Sequence, residues 1–353
     1  MTTAYVDLRS DTVTRPTAAM RRAMAEADVG DDHFGEDPTV RLLEEETARL
    51  LGKESALFVP SGSMGNQIAI GIQTRRGDQV LLHERSHVAY SEEAALTSFL
   101  GLRLLPVVGD AGRLAPESIA AALDSAAREG NGRVGLVELE NSHNWAGGAV
   151  YDVERLGRAA RPARERGLPV HLDGARLWNA SAATGTPVSE FADAADTVMV
   201  CYSKGLGAPV GSAIAGPKAL IGEARTLRKR FGGGMRQAGI LAAGALHGLR
   251  HHRERLVDDH GRARRLAEAL ASVPGLTIDP KTVTTNIVIV EVTPHERVQE
   301  LADRAAEAGV RLLVFGGPGR FRAATHLDVD DPAIDRSIDV IRTVARDLGM
   351  GRA

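Results

Sequence analysis

Short apolar runs rich in β-branched residues recur along the first 248 residues, and amphipathic stretches separate them. Apolar runs bounded by turn signals predict buried strands, whereas apolar positions three or four residues apart predict helices. The strands are expected near residues 56–59, 79–83, 102–108, 134–140, 168–172 and 197–201, and the helices near 17–27, 39–51, 64–72 and 116–129. Strands that alternate with helices indicate an α/β fold with a mostly parallel central sheet covered on both faces.

The pattern changes in the last third of the chain. A charged helix leads to a strand at 285–291, a helix at 296–308, strands near 311–314 and 320–324, and a final helix at 332–348. This order predicts a smaller C-terminal α+β domain. We therefore expect an N-terminal arm at residues 1–15, a large domain at 16–248 and the small domain at 249–353.

Composition and charge narrow the classes of function. Apolar residues make up 43% of the chain and charged residues 25%, as in ordinary globular proteins. The formal net charge of −3 gives no reason to expect nucleic acid or an anionic membrane as a partner. The single cysteine, Cys201, excludes a disulfide framework, and no metal-ligand spacing predicts a metal site. Without a leader or a membrane-spanning run, we expect a cytoplasmic protein.

One predicted strand end carries a candidate nucleophile. The run Thr197–Cys201 leads to Ser203 and Lys204, and then to a turn rich in glycine and proline at 205–209. An ammonium group at the rim of a sheet in a tight, apolar turn is poorly solvated, so the amine would be available for Schiff-base chemistry. The alternative is a lysine that extends from the strand end into solvent.

A second strand end supports the chemical interpretation. The run at 168–172 ends in Asp173, which lies 31 residues before Lys204. That offset fits two parallel strands joined by one helical crossover. An aspartate that faces a pyridinium nitrogen and a lysine that forms a Schiff base are the two requirements of pyridoxal 5′-phosphate, PLP.

Other loops are candidates for ligand contacts. The turn at 61–66 opens a helix, whose free amides and dipole favour a phosphate, although a simple capped turn has the same pattern. His87 follows a strand, where a structural histidine is the alternative to a catalytic one. The polar loop 141–148 follows another strand end, at the edge where open α/β sheets bind ligands. Three glycines at 232–234 indicate close approach of the backbone to another group.

Taken together, eight short motifs make the chain resemble a known family. They lie at 7–14, 35–40, 61–64, 140–144, 171–176, 203–209, 232–237 and 322–326. In this order they resemble the low-specificity L-threonine aldolases of the fold-type-I PLP family, and the resemblance covers nearly the whole chain. It implies a large domain with a mostly parallel sheet, a smaller C-terminal domain, and at least a homodimer, either a dimer or a tetramer, with shared active sites.

The resemblance implies a role for each matching cofactor residue. Lys204 would form the Schiff base with PLP, and Asp173 would pair with the pyridine nitrogen. His87 would stack on the ring, with Glu92 close to it. Further contacts to the cofactor are implied for Gly62, Ser63, Ser203 and Arg176, and from the neighbouring subunit for Lys229 and Arg236.

The resemblance also implies a substrate and a reaction. Ser10, Arg176 and Arg322 would hold the α-carboxylate of a β-hydroxy-α-amino acid such as L-threonine or L-allo-threonine. Cleavage of the Cα–Cβ bond would give glycine and an aldehyde, with His87, a water or the cofactor phosphate as the base. The alternatives are a β-eliminating lyase or racemase that uses the same site, and a PLP-binding protein without turnover.

Two positions depart from the family pattern. Phe34 stands near the mouth of the site, where relatives often have tyrosine. The segment 129–133, around Gly130, lacks a histidine that many relatives carry shortly before the next strand. Phe34 removes a hydroxyl that the resemblance implies near the site mouth, and the missing histidine leads us to expect a preference for bulkier β-substituents, or one away from threonine.

Overall fold

The structure is a computed structural model that describes residues 5–130 and 132–351. The first four residues of the predicted arm, Asn131, and the last two residues of the predicted small domain lie outside the described part. The strands are β1 (Val6–Asp7), β2 (Ser55–Val59), β3 (Gln79–His83), β4 (Arg103–Val107), β5 (Val134–Glu140), β6 (Val170–Gly174), β7 (Thr197–Cys201), β8 (Ser212–Gly216), β9 (Leu276–Thr277), β10 (Ile287–Val292), β11 (Val310–Arg311), β12 (Leu313–Val314) and β13 (Arg320–Ala324).

Helices alternate with these strands. They are α1 (Ala18–Ala25), α2 (Pro38–Leu51), α3 (Gly62–Gly71), α4 (His87–Ser91), α5 (Glu93–Ala95), α6 (Pro116–Glu129), α7 (Val153–Glu165), α8 (Leu177–Thr184), α9 (Val188–Ala192), α10 (Lys218–Arg230), α11 (Gly239–His251), α12 (Leu256–Leu270), α13 (Val298–Glu307) and α14 (Asp331–Asp347). Local signals set the ends of α2: the Asp37 carboxylate accepts from the amides of Thr39 and Val40, and Gly52 ends the helix with φ of 64°.

A seven-stranded sheet in the order β2-β8-β7-β6-β5-β3-β4 organises the larger part of the described chain. Strands β3 to β7 pair in parallel, and β8 pairs antiparallel with both β2 and β7. The predicted α/β fold with a mostly parallel sheet is therefore confirmed. Strand β8 was not predicted, and two helices, α8 and α9, form the crossover between β6 and β7 for which one was expected.

Each of the two larger sheets has its own large apolar core. The first lies around the seven-stranded sheet and includes Leu81, Leu172 and Val198. The second lies between α12, α13, α14 and the four-stranded sheet β12-β13-β10-β9. Val6 and Leu8 of the arm pack into this second core, since β1 pairs in parallel with β11. Helix α11 runs through the predicted boundary at residue 248, and the division into domains stays a prediction.

The helices in the described part of the chain do not have the length and apolar composition that a membrane crossing requires. The predicted cytoplasmic location is not tested by this observation and stays a prediction.

Candidate active site

The candidate site lies where the parallel strands end. Strands β3, β5, β6 and β7 run in the same direction, so their carboxyl ends share one edge of the sheet. His87 begins the helix after β3, Asp173 lies near the end of β6, and Lys204 lies in the loop after β7. The predicted Asp173 and Lys204 therefore come from neighbouring parallel strands.

These strand ends surround a cavity of about 320 Å³. Seven of the predicted residues line it: Gly62, Ser63, His87, Glu92, Asp173, Ser203 and Lys204. Further lining residues were not singled out from the sequence, among them Thr12, Asn66, Met199 and Cys201. The fold therefore brings most of the predicted cofactor residues to one cavity.

Helix α3 points its first turn into the cavity. Ser61 caps this helix through a hydrogen bond from the Met64 amide, and the amides of Gly62 and Ser63 have no acceptor within the helix. A Cβ atom at Gly62 would lie 2.9 Å from the Cys201 sulfur and 3.3 Å from the Met199 methyl carbon, so a larger residue there would force these side chains to shift. Free amides and the positive end of the helix dipole form a cradle for an anion such as a phosphate.

Asn66 joins the two acids of the cavity. Its Nδ2 atom donates to Asp173 Oδ2 at 2.8 Å and to Glu92 Oε1 at 3.1 Å. The second oxygen of Asp173, Oδ1, accepts from the Ala175 amide at 3.0 Å. Asp173 is 1% exposed and Glu92 is 2% exposed, so water only weakly screens the electrostatic interaction between the two carboxyl groups.

His87 and Glu92 form a hydrogen-bonded pair at the cavity wall. His87 Nδ1 lies 2.8 Å from Glu92 Oε1. Burial opposes the charged form of His87, but the hydrogen bond to Glu92 and the charge of Asp173 outweigh burial and raise the pKa of His87. Burial raises the pKa of Glu92, and the nearby charge of Asp173 adds to this rise. The pair can therefore hold a proton near neutral pH, as proton transfer requires.

The two predicted arginines, Arg176 and Arg322, do not line the cavity, although Ala175, next to Arg176, does. They lie in different electrostatic environments. Arg176 donates from Nε and Nη2 to the two carboxylate oxygens of buried Asp11, both at 2.7 Å. Arg322 donates to Asn144 Oδ1 at 2.9 Å and to the Arg9 carbonyl at 3.0 Å, and it forms no ion pair among residues 5–130 and 132–351. Its Nε atom is buried without an acceptor.

Burial and the positive charge of Arg176 lower the pKa of Arg322 to about 10. Asp11 pairs directly with Arg176, whereas Arg322 makes no ion pair within the described residues, and the charge of Asp11 offsets the effects of burial and Arg176 on the pKa of Arg322 only in part. This arrangement favours an incoming anion at Arg322. The resemblance implied a substrate contact for both arginines and a cofactor contact for Arg176 as well; in the structure the two differ in their ion pairing.

A buried acid stands behind the site. Glu138 of β5 is 1% exposed, and neither of its carboxyl oxygens makes a hydrogen bond of normal geometry within the described residues. Burial raises the pKa of Glu138 well above its usual value, and the charges of Asp173 and Glu140 raise it further. Glu138 therefore keeps its proton to a higher pH than an ordinary glutamate.

Glu138→Gln, which imitates the protonated acid, should make the protein more stable at alkaline pH. The folded state keeps a proton that the unfolded chain releases, so wild-type stability falls as pH rises from the usual glutamate pKa through the raised one. The variant escapes this loss, and its free energy of unfolding should exceed that of the wild type by more than about 1 kcal/mol at roughly pH 9 and by little at pH 5. Urea unfolding measures both; Glu45→Gln, at an exposed position, is the control. An equal difference at both pH values would contradict the prediction.

The remaining predicted residues lie outside the cavity of this chain. Ser10 caps a short turn by accepting from the amide of Thr12. Lys229 Nζ lies 3.4 Å from His33 Nε2, Arg236 pairs with Asp31 at 3.1 Å, and the Phe34 side chain is 70% exposed. Their roles stay predictions.

His87, Glu92 and Asp173 offer ligand atoms within 4.8 Å of one another, the arrangement that a metal ion requires. Hydrogen bonds to Asn66 and between His87 and Glu92 already use these atoms. The expectation of no metal site stays a prediction.

Sequence reasoning missed several residues that organise the site. Asp11 and Asn144 contact the arginines, Asn66 joins the acids, and Glu140 accepts from the amides of His87 and Asn144 at 2.7 Å each. Each lies inside a motif or polar loop that the sequence singled out. The sequence therefore identified the right segments, but it did not show which residues far apart in the chain contact each other.

Comparison with known proteins agrees with this geometry. Residues 7–293 match the family model described as β-eliminating lyase. The chain is 43% identical over 326 residues to low-specificity L-threonine aldolase 1 of Arabidopsis thaliana, covering 91% of each chain. It is 39% identical to the low specificity L-threonine aldolase of Escherichia coli strain K12, covering 92% of this chain and 94% of that one.

A solved structure shows the same fold at lower identity. The threonine aldolase of Leishmania major superposes with a TM-score of 0.80 at 21% identity, covering 96% of this chain and all (100%) of that one. The fold-type-I architecture expected from the resemblance is thus confirmed. From the family match and the extended similarity to the plant and bacterial enzymes, the chain belongs to the β-eliminating lyase family, together with the low-specificity L-threonine aldolases.

Proposed function

We propose that this protein binds PLP and cleaves β-hydroxy-α-amino acids, such as L-threonine or L-allo-threonine, into glycine and an aldehyde. The observation that carries the proposal is the meeting of Lys204, Asp173 and the start of helix α3 at one cavity. The similarity to threonine aldolases of several organisms supports the same reaction.

The residues of the cavity fit the proposed cofactor. The free amides of Gly62 and Ser63 at the start of helix α3 suit its phosphate. Asp173 offers a buried carboxylate that can hold a proton at a ring nitrogen, and Lys204 offers an amine. When bound, PLP accepts the electron pair that is released when a bond to the substrate Cα breaks. We propose Ser203 as a further contact in the same cavity.

Arg322 is proposed to bind the substrate carboxylate, while Arg176, held by Asp11, positions Asn144 between the two guanidinium groups. Ser10 lies on the same arm as Asp11 and is proposed as a minor contact. A planar guanidinium that binds two carboxylate oxygens also fixes the orientation of the substrate, which decides the bond to be broken.

Arg322→Leu should raise KM by about 30- to 100-fold and change kcat less, because the lost interaction joins two charged groups in a buried site. Steady-state kinetics with L-allo-threonine measures both constants. Arg320→Leu, two residues earlier on the same strand and paired with Glu291, is the matched control and should leave KM within about 3-fold. An unchanged KM in Arg322→Leu would contradict the assignment.

His87 is proposed as the base that accepts the proton of the substrate β-hydroxyl. Its ring lines the cavity, and Glu92 fixes the ring orientation through Nδ1, which leaves Nε2 for the substrate. Stacking on the cofactor ring without proton transfer is the alternative that the sequence left open.

Two substitutions separate these roles of His87. His87→Phe keeps a flat ring for stacking but has no nitrogen, so kcat should fall by about 10²- to 10³-fold while PLP affinity stays close to that of the wild type. His87→Ala should lower both kcat and the affinity for PLP. Turnover and a PLP titration of the apoprotein provide the two readouts. A His87→Phe enzyme with more than a tenth of wild-type kcat would leave stacking as the role.

We propose a homodimer or homotetramer in which one subunit completes the site of another. Lys229, Arg236 and Phe34 lie outside the cavity of their own chain and have exposed side chains. Contacts from a neighbouring subunit to the cofactor phosphate and the site mouth would account for these positions.

We also propose the division into an arm, a large domain to residue 248 and a small domain.

We propose a preference for bulkier β-substituents, or one away from threonine, from the resemblance alone. Phe34 lacks a hydroxyl, whereas Gly130 lies at the end of α6, shortly before β5 begins, and therefore at the edge of the sheet opposite the cavity of its own chain. Specificity constants for threonine and phenylserine compare the two sizes of substituent. Equal constants would contradict the preference.

The test of the proposed function is product analysis with purified protein and added PLP. L-threonine, L-allo-threonine and phenylserine should each give glycine and the matching aldehyde in equal amounts. A keto acid and ammonia from serine, without aldehyde from the other substrates, would identify a β-eliminating lyase instead. Inversion at Cα without cleavage would identify a racemase, and no turnover would leave a binding protein.

A further inference from the structure

A chain of hydrogen bonds runs behind the cavity through side chains to which the proposed reaction gives no role. Gln73 Nε2 donates to Thr197 Oγ1 at 2.8 Å, and Thr197 Oγ1 lies 2.9 Å from His171 Nδ1. His171 Nε2 lies 3.1 Å from Asn66 Oδ1. Thr197, His171 and Asn66 are each at most 1% exposed. The chain ends at Asp173 and Glu92, to which the Asn66 amide donates.

The direction of each bond follows from the carboxylate end. Carboxylates accept, so Asn66 turns its NH₂ group to them and its carbonyl oxygen to His171. His171 then donates from Nε2 and accepts the Thr197 hydroxyl proton at Nδ1, while the Thr197 oxygen accepts from Gln73. Burial lowers the pKa of His171 to about 4, which keeps the ring neutral as this pattern requires. Every polar atom between Gln73 Nε2 and the two carboxylates has one possible role.

We propose that Asn66, held in one orientation by His171, Thr197 and Gln73, is a positioning residue that keeps Asp173 and Glu92 together as two ionised carboxylates. This inference rests on the proposed function, since it is Asp173 that meets the cofactor nitrogen. Two buried carboxylates this close tend to share a proton, and a donor between them opposes that tendency, as the Asn66 hydrogen bond does for Glu92. Asn66 thereby maintains the negative charge that Asp173 presents to the ring.

Several titratable groups face Asn66 and its two carboxylates. The groups whose charges act on one another in this cluster are His87, Glu92, Glu138, His171, Asp173 and Lys204. A new carboxyl group at position 66 would therefore stand between two acids and opposite a neutral histidine. In that environment a carboxyl group holds its proton to a higher pH than usual.

Two variants distinguish positioning from general support of the fold. Asn66→Leu removes both donors, and the dissociation constant of PLP from the apoprotein should rise about 10- to 100-fold at every pH from roughly 6 to 9. Asn66→Asp keeps the shape, donates one hydrogen bond while protonated, and repels both acids once ionised. Its dissociation constant relative to wild type should therefore rise at least about 10-fold between those pH values.

The matched control is Asn179→Leu. Asn179 is also a helical asparagine, is 2% exposed, and has its Nδ2 atom 3.2 Å from the Nε2 atom of a histidine, His260. This variant loses a comparable buried amide and should bind PLP within about 3-fold of the wild type at each pH. PLP itself is the probe, followed by its absorbance and by quenching of tryptophan fluorescence.

Equal, pH-independent losses in Asn66→Leu and Asn66→Asp would show that residue 66 only supports the fold and would overturn the proposal. Binding within about 3-fold of wild type in both variants would overturn it as well. If Asn66→Leu does not fold, the pH dependence of Asn66→Asp decides the question by itself. If the wild type binds no PLP, the proposed function fails and this inference falls with it, whereas normal wild-type binding with unaltered variants rejects the inference alone.

Discussion

Replacing Lys204 with alanine should abolish covalent binding of PLP and lower kcat by on the order of 10⁴-fold or more, because the amine that joins the cofactor and later exchanges with the substrate amine is lost. The fold should survive, since the Lys204 backbone carbonyl, which accepts from Thr14 Oγ1 at 3.3 Å, is retained. The anion cradle at Gly62 and Ser63 also remains, so the variant should still bind PLP non-covalently.

The matched control is Lys53→Ala. Lys53 is half-buried like Lys204, but its amine donates to the Ala195 carbonyl at 2.7 Å, away from the cavity. Its loss should leave kcat within about 3-fold. Borohydride reduction followed by mass spectrometry locates the modified lysine in the wild type. More than a tenth of wild-type turnover in Lys204→Ala, or modification of another lysine, would show that Lys204 is not the nucleophile.

Asp173→Asn should lower kcat by about 10²- to 10³-fold with a smaller change in KM, because an amide of the same shape cannot hold a proton at the ring nitrogen. The substrate carboxylate contacts at Arg322 are not altered. The charge of Asp173 also raises the pKa of His87, so its removal should shift the pH at which His87 loses its proton to a lower value. The limb of the pH–rate profile that reports a deprotonated base should therefore move to lower pH.

Asp196→Asn serves as the control for the loss of a carboxylate beside the same strands. Asp196 lies just before β7 at the opposite end of the sheet, where its Oδ2 accepts from the Val170 amide at 2.8 Å. It should leave kcat within about 3-fold and the pH profile unchanged. An Asp173→Asn enzyme with near-normal kcat, or a profile that does not move, would remove the proposed role of Asp173.

The arrangement of the main elements followed from local patterns. Apolar runs separated by helical stretches predicted the parallel strands, and the offset between Asp173 and Lys204 predicted that their strands are parallel and joined by a helical crossover, which agrees with the parallel pairing of β6 with β7. Strand β8 escaped notice because its residues, Ser212–Gly216, are mostly small and give little β signal. It became a strand through pairing with β2 and β7, which local sequence does not encode.

The polar organisation of the site was harder to predict, since it depends on contacts between distant parts of the chain. Asp11 neutralises Arg176 across 165 residues of sequence, and Asn66 reaches Asp173 across 107. A single-sequence pattern shows that each residue is polar and lies near a strand or helix end, but not which charge matches which. For this reason the sequence could not show that Arg176 pairs with a carboxylate and that Arg322 does not.

The visible absorption spectrum of the purified protein with PLP, recorded before and after addition of glycine, tests the central claim most directly. The account predicts an absorption band from cofactor joined to Lys204, and a second band at longer wavelength when glycine binds and its Cα loses a proton. Both bands should be absent in Lys204→Ala. A wild-type protein that shows no band with PLP, or a band that glycine leaves unchanged, would contradict the account.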